Sequence, residues 1–449
     1  MRTMRVMRSQ ALLATLGLLW AGVADAAALT AEDAVKVALR KSTEVINSAA
    51  GITGAKGGVY SAYGSLVPDL SLFYSRRQSR TNGFESTDYD PSAGTFVPYG
   101  LPDQTSTSTT PGVASRWGIL NLSSWKSLGA ARQSLKASRM QHDATRSDVA
   151  LGTRRQFYAV VQSIKLAEVA TGALKRSRDD ERRVRAMFEV GSVSKSDLLK
   201  AQVATAQAEL DSITATNQIV VQRVALATQM GVPVSEIGDV DTLLAATPQS
   251  YDEAALLAEA AKNRPDIIAA DASLRAARAS HAAARMARLP YVTMSGQATF
   301  NGKSDRKVDG IAGTLPSSTD RTLSAEVAVN WDIFSLGAVD ARVASARASL
   351  DRARATADAL HRNLASEVNQ TLLAYNESIA QNAVAQRGLE SATENLKLTQ
   401  EKYNVGSATI LELIDAQVQL QTAQSNVVKA LAAIRVAEAQ INRVRGHGE

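Results

Sequence analysis

Two carboxylates near the C-terminal end of the chain, Glu412 and Asp415, are the residues whose type and spacing best suit electrostatic work. They stand one helical turn apart on one face, just past Gly406. At a helix start, carboxylates favour the positive end of the dipole, which is a purely local role. Gathered with copies of themselves in an oligomer, they would line a constriction with negative charge and select cations. Other chemistry is sparse. The four histidines, His142, His281, His361 and His447, never stand at i, i+4 to one another and fall in no recognisable catalytic string. Cysteine is absent, and no Gly-rich phosphate loop or Cys/His metal cluster occurs. No enzyme activity, cofactor or metal is expected. The basic run "KRSRDDERRVR" from Lys175 is interrupted at helical spacing by Asp179, Asp180 and Glu181. That pattern reads as a solvated, ion-paired helix face and not as a nucleic-acid surface.

The elements that must position the two acids come in duplicate. "FEVGSVSKSDLLKAQ", Phe188 to Gln202, answers "YNVGSATILELIDAQ", Tyr403 to Gln417, with Gly191 and Gly406 lying 215 residues apart. "RKSTEVINSA" from Arg40 matches "KNRPDIIAAD" from Lys262, Pro68 matches Pro290, and "SLGAAR" from Ser127 matches "SLGAVDAR" from Ser335. A repeated unit of helix, hairpin, long helix and return helix follows. The first copy is expected over 27–229, with its hairpin at about 67–122, long helix at about 130–190 and return helix at about 194–229. A linker occupies 230–250. The second copy covers 251–445, with a hairpin at about 290–332 and helices at about 338–404 and 408–445.

Gly and Pro nearly vanish from the two long stretches, where Ala, Gln, Glu, Arg and Leu predominate. At ~1.5 Å per residue each long helix runs roughly 90–100 Å, too long for an ordinary globular core. In the last helix Leu413, Ala416, Leu420, Ala423, Val427, Ala430, Ile434, Ala437 and Ile441 recur at steps of three and four. Leu199, Val203, Ala206, Leu210, Ile213, Asn217, Val220, Val224 and Ala227 do the same in the first return helix. Both read as heptad seams.

Four segments alternate with a period of two and read as strands: Val67–Gln78, Val113–Leu122, Val292–Phe300 and Leu323–Trp331. Val292, Met294, Gly296, Ala298 and Phe300 share one face, as do Leu323, Ala325, Val327, Val329 and Trp331. Leu70, Leu72 and Tyr74, and Trp117 with Ile119, give a noisier version. The segments 82–111 and 301–320 read as loops. Each strand has the length of a tilted membrane-crossing strand, about ten residues. Four strands cannot close a barrel, and an open edge is intolerable in lipid, so several chains must contribute.

The first 26 residues read as a signal peptide: Arg2, Arg5 and Arg8, then the apolar run 11–24 and an Ala24-Asp25-Ala26 cleavage site. Its removal lowers the formal charge from +6 to +4, and with no Cys the mature chain is not expected to be lipidated.

The duplicated unit and the paired "VGS" turns resemble the TolC type of outer-membrane efflux protein, over essentially the whole mature chain. That resemblance implies a homotrimer: a twelve-stranded outer-membrane β-barrel, four strands per chain, continued by a long periplasmic α-helical barrel. It implies an exit duct for efflux or type I secretion in a Gram-negative outer membrane, opened by a periplasmic adaptor and an inner-membrane ABC or proton-driven exporter. It places Val190, Gly191, Ser192, Val405, Gly406 and Ser407 at the adaptor-docking tips. It makes Glu412 and Asp415 the aperture acidic ring, and Tyr403, Asp197 and Ser196 parts of a gate latch. The family's latch arginine is replaced by Ala408, which leaves Lys195 as the nearby cation. The contrary reading, a periplasmic coiled-coil adaptor or a surface protein without a channel, lacks a reason for two hairpins with paired strands.

Overall fold

The computed structural model describes residues 28–446, apart from 246–247, 301–304, 309–314, 317–320 and 335–336. The signal peptide expected over 1–26, most of the second loop, Ser335 and His447 lie outside the described residues. Two helices open the chain, α1 (Ala31–Lys41) and α2 (Thr43–Gly64). They lead into strands β1 (Asp69–Thr81), β2 (Phe84–Asp90), β3 (Thr95–Leu101) and β4 (Gln104–Leu120). Helix α3 (Leu122–Glu189) then runs for 68 residues and α4 (Lys195–Met230) returns along it. After a connection come α5 (Glu253–Asn263), α6 (Pro265–Met286), β5 (Tyr291–Phe300), β6 (Asp305–Val308), β7 (Leu315–Pro316) and β8 (Arg321–Asn330). The 67-residue α7 (Ala338–Asn404) and its return α8 (Ile410–Val444) complete the chain.

Single opening helices were expected ahead of each hairpin, and each is broken. Ser42 and Arg264 adopt extended backbone, and Pro265 forces the second break by disfavouring helix at the residue before it. Helix α3 also begins earlier than expected, because the Asn121 side chain caps the Ser124 N–H at 3.2 Å. Gly129 is therefore interior to α3, whereas Gly337 caps α7 in a left-handed conformation (φ 81°).

The long strands pair antiparallel in the order β1, β4, β5, β8, leaving β1 and β8 as edges. Rows across the sheet confirm the alternation: Leu72, Val113, Ala298 and Leu323 lie side by side, as do Trp117, Met294 and Val327. Two details differ from the sequence reading. A bulge between Gly118 and Leu120 sets Leu120, and not Ile119, opposite Val292. The segment taken as the first loop is mostly strand: β2 pairs with β3, and β4 extends back to Gln104 through a Ser/Thr run opposite β1. Threonine suits a pleated surface, so the run needs no apolar alternation to pair.

The helices bury three apolar clusters. Val149, Phe157, Val160, Val161, Leu226 and Met230 form one around α3 and α4. Leu364, Val368, Tyr375, Ile434 and Ile441 form a second around α7 and α8. Beside it the nearly buried Arg264 pairs with Asp266 and Glu367, both at 2.6 Å. The third cluster lies at the far ends of the long helices.

Helix α8 buries most of its stripe: Leu413, Ala416, Leu420, Ala430, Ile434, Ala437 and Ile441 are buried, and Ala423 and Val427 half-buried. Helix α4 does not. Its buried face is Ala201, Thr205 and Ala208, then Leu226, Ala227 and Met230. The stripe Leu199, Val203, Leu210, Ile213, Val220 and Val224 stays exposed, because α4 lays its small residues against α3. The seam is real in sequence but has no partner among the described residues.

Candidate gate at the helical tips

Both long helices end in the same turn. Gly191 (φ 77°) and Gly406 (φ 76°) take the left-handed conformation that L side chains disfavour. The Ser192 N–H reaches back to the Met187 carbonyl at 2.8 Å and that of Ser407 to the Lys402 carbonyl at 2.9 Å. These are Schellman motifs, which satisfy carbonyls the helix would leave open. Each return helix then starts with a capping box, Ser194 with Asp197 and Thr409 with Glu412. Val190 and Val405, the apolar residues of the two turns, are 76% and 79% exposed.

Between the tips, Val184 of α3, Ala201 of α4, Tyr403 of α7 and Ile410 and Leu413 of α8 form the third buried cluster. Ala408 packs against it, so the residue at the expected arginine position is part of an apolar joint. Tyr403 is nearly buried and its hydroxyl has no hydrogen-bond partner. Burial, helped by the nearby Asp197 and Asp180 charges, pushes its pKa up. Asp197 is engaged elsewhere: it accepts from the Ser194 hydroxyl at 2.7 Å and pairs with Lys200 at 3.5 Å. The Ser194 hydrogen bond holds its carboxyl below the usual range. Tyr403 and Asp197 are thus neighbours without a hydrogen bond between them, and Ser196 is exposed.

The polar ties between the two hairpins involve residues the sequence reading passed over. Arg183 donates to the Asn404 side chain at 3.3 Å, and Gln417 donates to Asp180. Arg183 also stands 3.6 Å from Asp180, which puts a cation of α3 at this joint. Desolvation raises the Asp180 pKa, with the Gln417 hydrogen bond opposing. The alternating charges of the basic run predict a solvated face, and Arg182–Asp179 and Arg185–Glu181 pair that way. Asp180, at 8% exposure, does not, and Arg176 beside it buries part of its guanidinium. The signal for Asp180 was available: it lies four residues before buried Val184, on the same helical face.

Glu412 and Asp415 are both exposed on α8. Glu412 accepts from the Thr409 N–H at 3.4 Å, the local capping role. Asp415 accepts from the Gln419 amide at 2.6 Å and caps nothing. Among the described residues no group of His, Asp and Glu could hold a metal ion, and no helix is long and apolar enough to cross a membrane.

A helical body roughly 100 Å long thus carries an apolar-faced sheet at one end and paired glycine turns at the other. The chain belongs to the outer membrane efflux protein family, whose pattern it matches over residues 34–232 and 256–447. It is 24% identical to outer membrane protein TolC of Vibrio cholerae over 318 residues, covering 69% of this chain and 70% of that one. It is 24% identical to nodulation protein T of Rhizobium leguminosarum bv. trifolii over 408 residues, 88% of this chain and 80% of that one. Its fold is similar to that of the Campylobacter jejuni CmeC outer membrane channel (TM-score 0.76, 16% identity, 93% of this chain and 86% of that one). The chain is an outer-membrane efflux or secretion channel; the family is one of ducts and not an enzyme class.

Proposed function

We propose that the channel is a homotrimer of a duplicated unit, residues 27–229 and 251–445, joined by the 230–250 linker. The observation that carries this reading is the open sheet. Strands β1 and β8 are unpaired edges whose apolar residues face outward, Leu72 at 82% and Leu323 at 84% exposure. Edges in lipid need partners, and four strands per chain close when copies supply the rest. The bare stripe of α4 supports the same arrangement, since it offers a neighbouring copy a heptad surface.

Residues 1–26 export the chain, without lipidation, and most of it stands in the periplasm. Val190, Gly191, Ser192, Val405, Gly406 and Ser407 form the periplasmic mouth, where an adaptor coupled to an inner-membrane ABC or proton-driven exporter docks. Around the three-fold axis, Glu412 and Asp415 form an acidic ring that favours cations. Tyr403, Asp197 and Ser196 belong to the joint that keeps the two hairpins of one chain together, and the Asp180–Gln417 and Arg183–Asn404 contacts act as its ties. Fractionation tests the assembly. A heat-sensitive oligomer of three chains, extracted from the outer membrane only with detergent, is expected. Release into the soluble periplasm, or a monomer in detergent, contradicts it.

A further inference from the structure

The outward face of the sheet changes character at the end away from the helices. On β1 it runs Leu70, Leu72 and Tyr74, then Arg76, Gln78 and Arg80. On β8 it runs back from Val329 through Val327, Ala325 and Leu323 to Arg321. Arg321 pairs with Phe300 across the strands, and its guanidinium lies 5.9 Å from that ring. Lys307 of β6 shares a row with Thr105 and Arg80. Arg76, Arg80, Lys307 and Arg321 are all exposed. The other outward positions in these rows on β1 and β4, Gln78, Thr105, Thr107 and Thr109, are neutral, and one acid, Asp305 of β6, stands opposite Thr107 beside Lys307, so the rows named carry four cations against that acid and Asp103. Asp103 is already tied to Arg80 at 2.8 Å and to the Gly83 N–H at 2.6 Å.

We infer that this rim is a binding site for the phosphate groups of the phosphorylated glycolipid in the outer leaflet of the outer membrane. The inference rests on the reading of the sheet as a membrane barrel. In that reading the apolar rows Leu70 to Tyr74 and Leu323 to Val329 meet acyl chains, and the cations meet the first polar layer above them. Guanidinium groups suit phosphate, because their fork of donors matches its oxygens and they shed water readily. A cation buried among acyl chains would be costly, whereas one above an aromatic ring at the interface keeps its head in the polar layer. Closure of the barrel brings β8 of one chain beside β1 of the next, about 5 Å away. Arg321 and the neighbouring copy's Arg76 and Arg80 then converge at each joint between subunits. The strand direction selects the leaflet: β1 leaves α2 at Asp69 and reaches Arg76 and Arg80 on the far side. A phospholipid headgroup of the inner leaflet meets the opposite rim, near Trp331.

The test compares full-length protein, extracted from outer membranes in mild detergent, with the variant Arg76→Gln/Lys307→Gln/Arg321→Gln. A control, Arg77→Gln/Arg116→Gln, alters cations on the opposite face of β1 and β4. Glycolipid phosphate retained per chain is measured, then rebinding of purified glycolipid. Three lost surface cations should weaken rebinding on the order of a hundredfold, while the control and the charge-preserving Arg76→Lys/Arg321→Lys retain most of it. Inorganic phosphate or phosphatidylglycerol vesicles should displace little of the bound glycolipid. Equal retention by wild type and triple variant overturns the inference, as does equal loss in the control or free displacement by either competitor. Channel formation by the wild type in planar bilayers is scored alongside. Its absence would sink the barrel reading, whereas channels with unchanged glycolipid binding would sink this inference alone.

Discussion

Helices α4 and α8 return from equivalent turns with similar stripes, yet α8 buries Leu413, Leu420, Ile434 and Ile441 while α4 exposes Leu199, Val203, Leu210 and Ile213. The difference lies in the neighbours. Helix α8 is packed against both α7 and α3, whereas α4 has α3 on one side and little on the other. A heptad pattern specifies that a helix face will be covered, and not by which chain. The tips differ in the same sense. Both have a glycine turn and a capping box, but the first tip's acid is neutralised by Lys200, and only the second has a further exposed acid, Asp415. In the proposed trimer, the first hairpin would then serve assembly and the second the aperture.

The sharpest way to break this comparison is to truncate one residue of each stripe. Leu413→Ala removes a fully buried side chain and should destabilise the chain by roughly 2–5 kcal/mol. Leu210→Ala should cost within about 0.5 kcal/mol of folding stability, yet lower the yield of trimers on a native gel. Equal melting losses in both variants would show that α4 is covered within its own chain. The two faces of the sheet offer a second contrast. Val327→Arg should weaken barrel assembly by about 2–4 kcal/mol near the bilayer midplane, and Glu326→Arg, on the opposite face, should be tolerated. A smaller effect is expected at the turns, where the comparison predicts equality. Nothing lies near a Cβ added at Gly191 or Gly406, so alanine there should cost only the left-handed conformation, about 1–2 kcal/mol at either site. A bulky residue at either tip should stop export and leave trimers intact.

The smallest effects concern pH. Asp180 has a folded pKa above its unfolded value, so its contribution to stability is full below about 3.9 and is lost as pH rises through the folded value. Asp197 has the opposite shift, so its contribution is present above about 3.9 and is lost as pH falls through its lower folded value. Asp180→Asn should flatten the melting profile above the ordinary carboxylate pKa, and Asp197→Asn should flatten it below. Superimposable profiles would deny that the two acids play different parts at the joint.

Much of this was legible in the sequence because periodicity and turn chemistry are local. The seam of α8, the left-handed glycines and the four long strands each follow from spacing alone. What escaped depends on which surfaces meet. Asp180 sits in a charged run whose neighbours are solvated, and only the packing of α8 against α3 turns it inward to Gln417. The Ser/Thr half of β4 carries no apolar alternation, and its pairing with β1 becomes apparent only once the register is fixed at Val113. The breaks at Ser42 and Arg264 needed the backbone, although Pro265 announced the second.

In the proposed trimer the second hairpin sets the aperture of the duct. Planar-bilayer recording of purified protein tests this directly, comparing wild type with Glu412→Ala/Asp415→Ala and with Asp197→Ala. Wild type should conduct with a preference for cations and be blocked by multivalent cations, because clustered carboxylates must be offset by counter-charge. The double variant should lose most of both properties while trimers persist, and Asp197→Ala should keep them. Selectivity and block that survive in the double variant, or that vanish in Asp197→Ala, would contradict the account and leave Glu412 with its capping role alone.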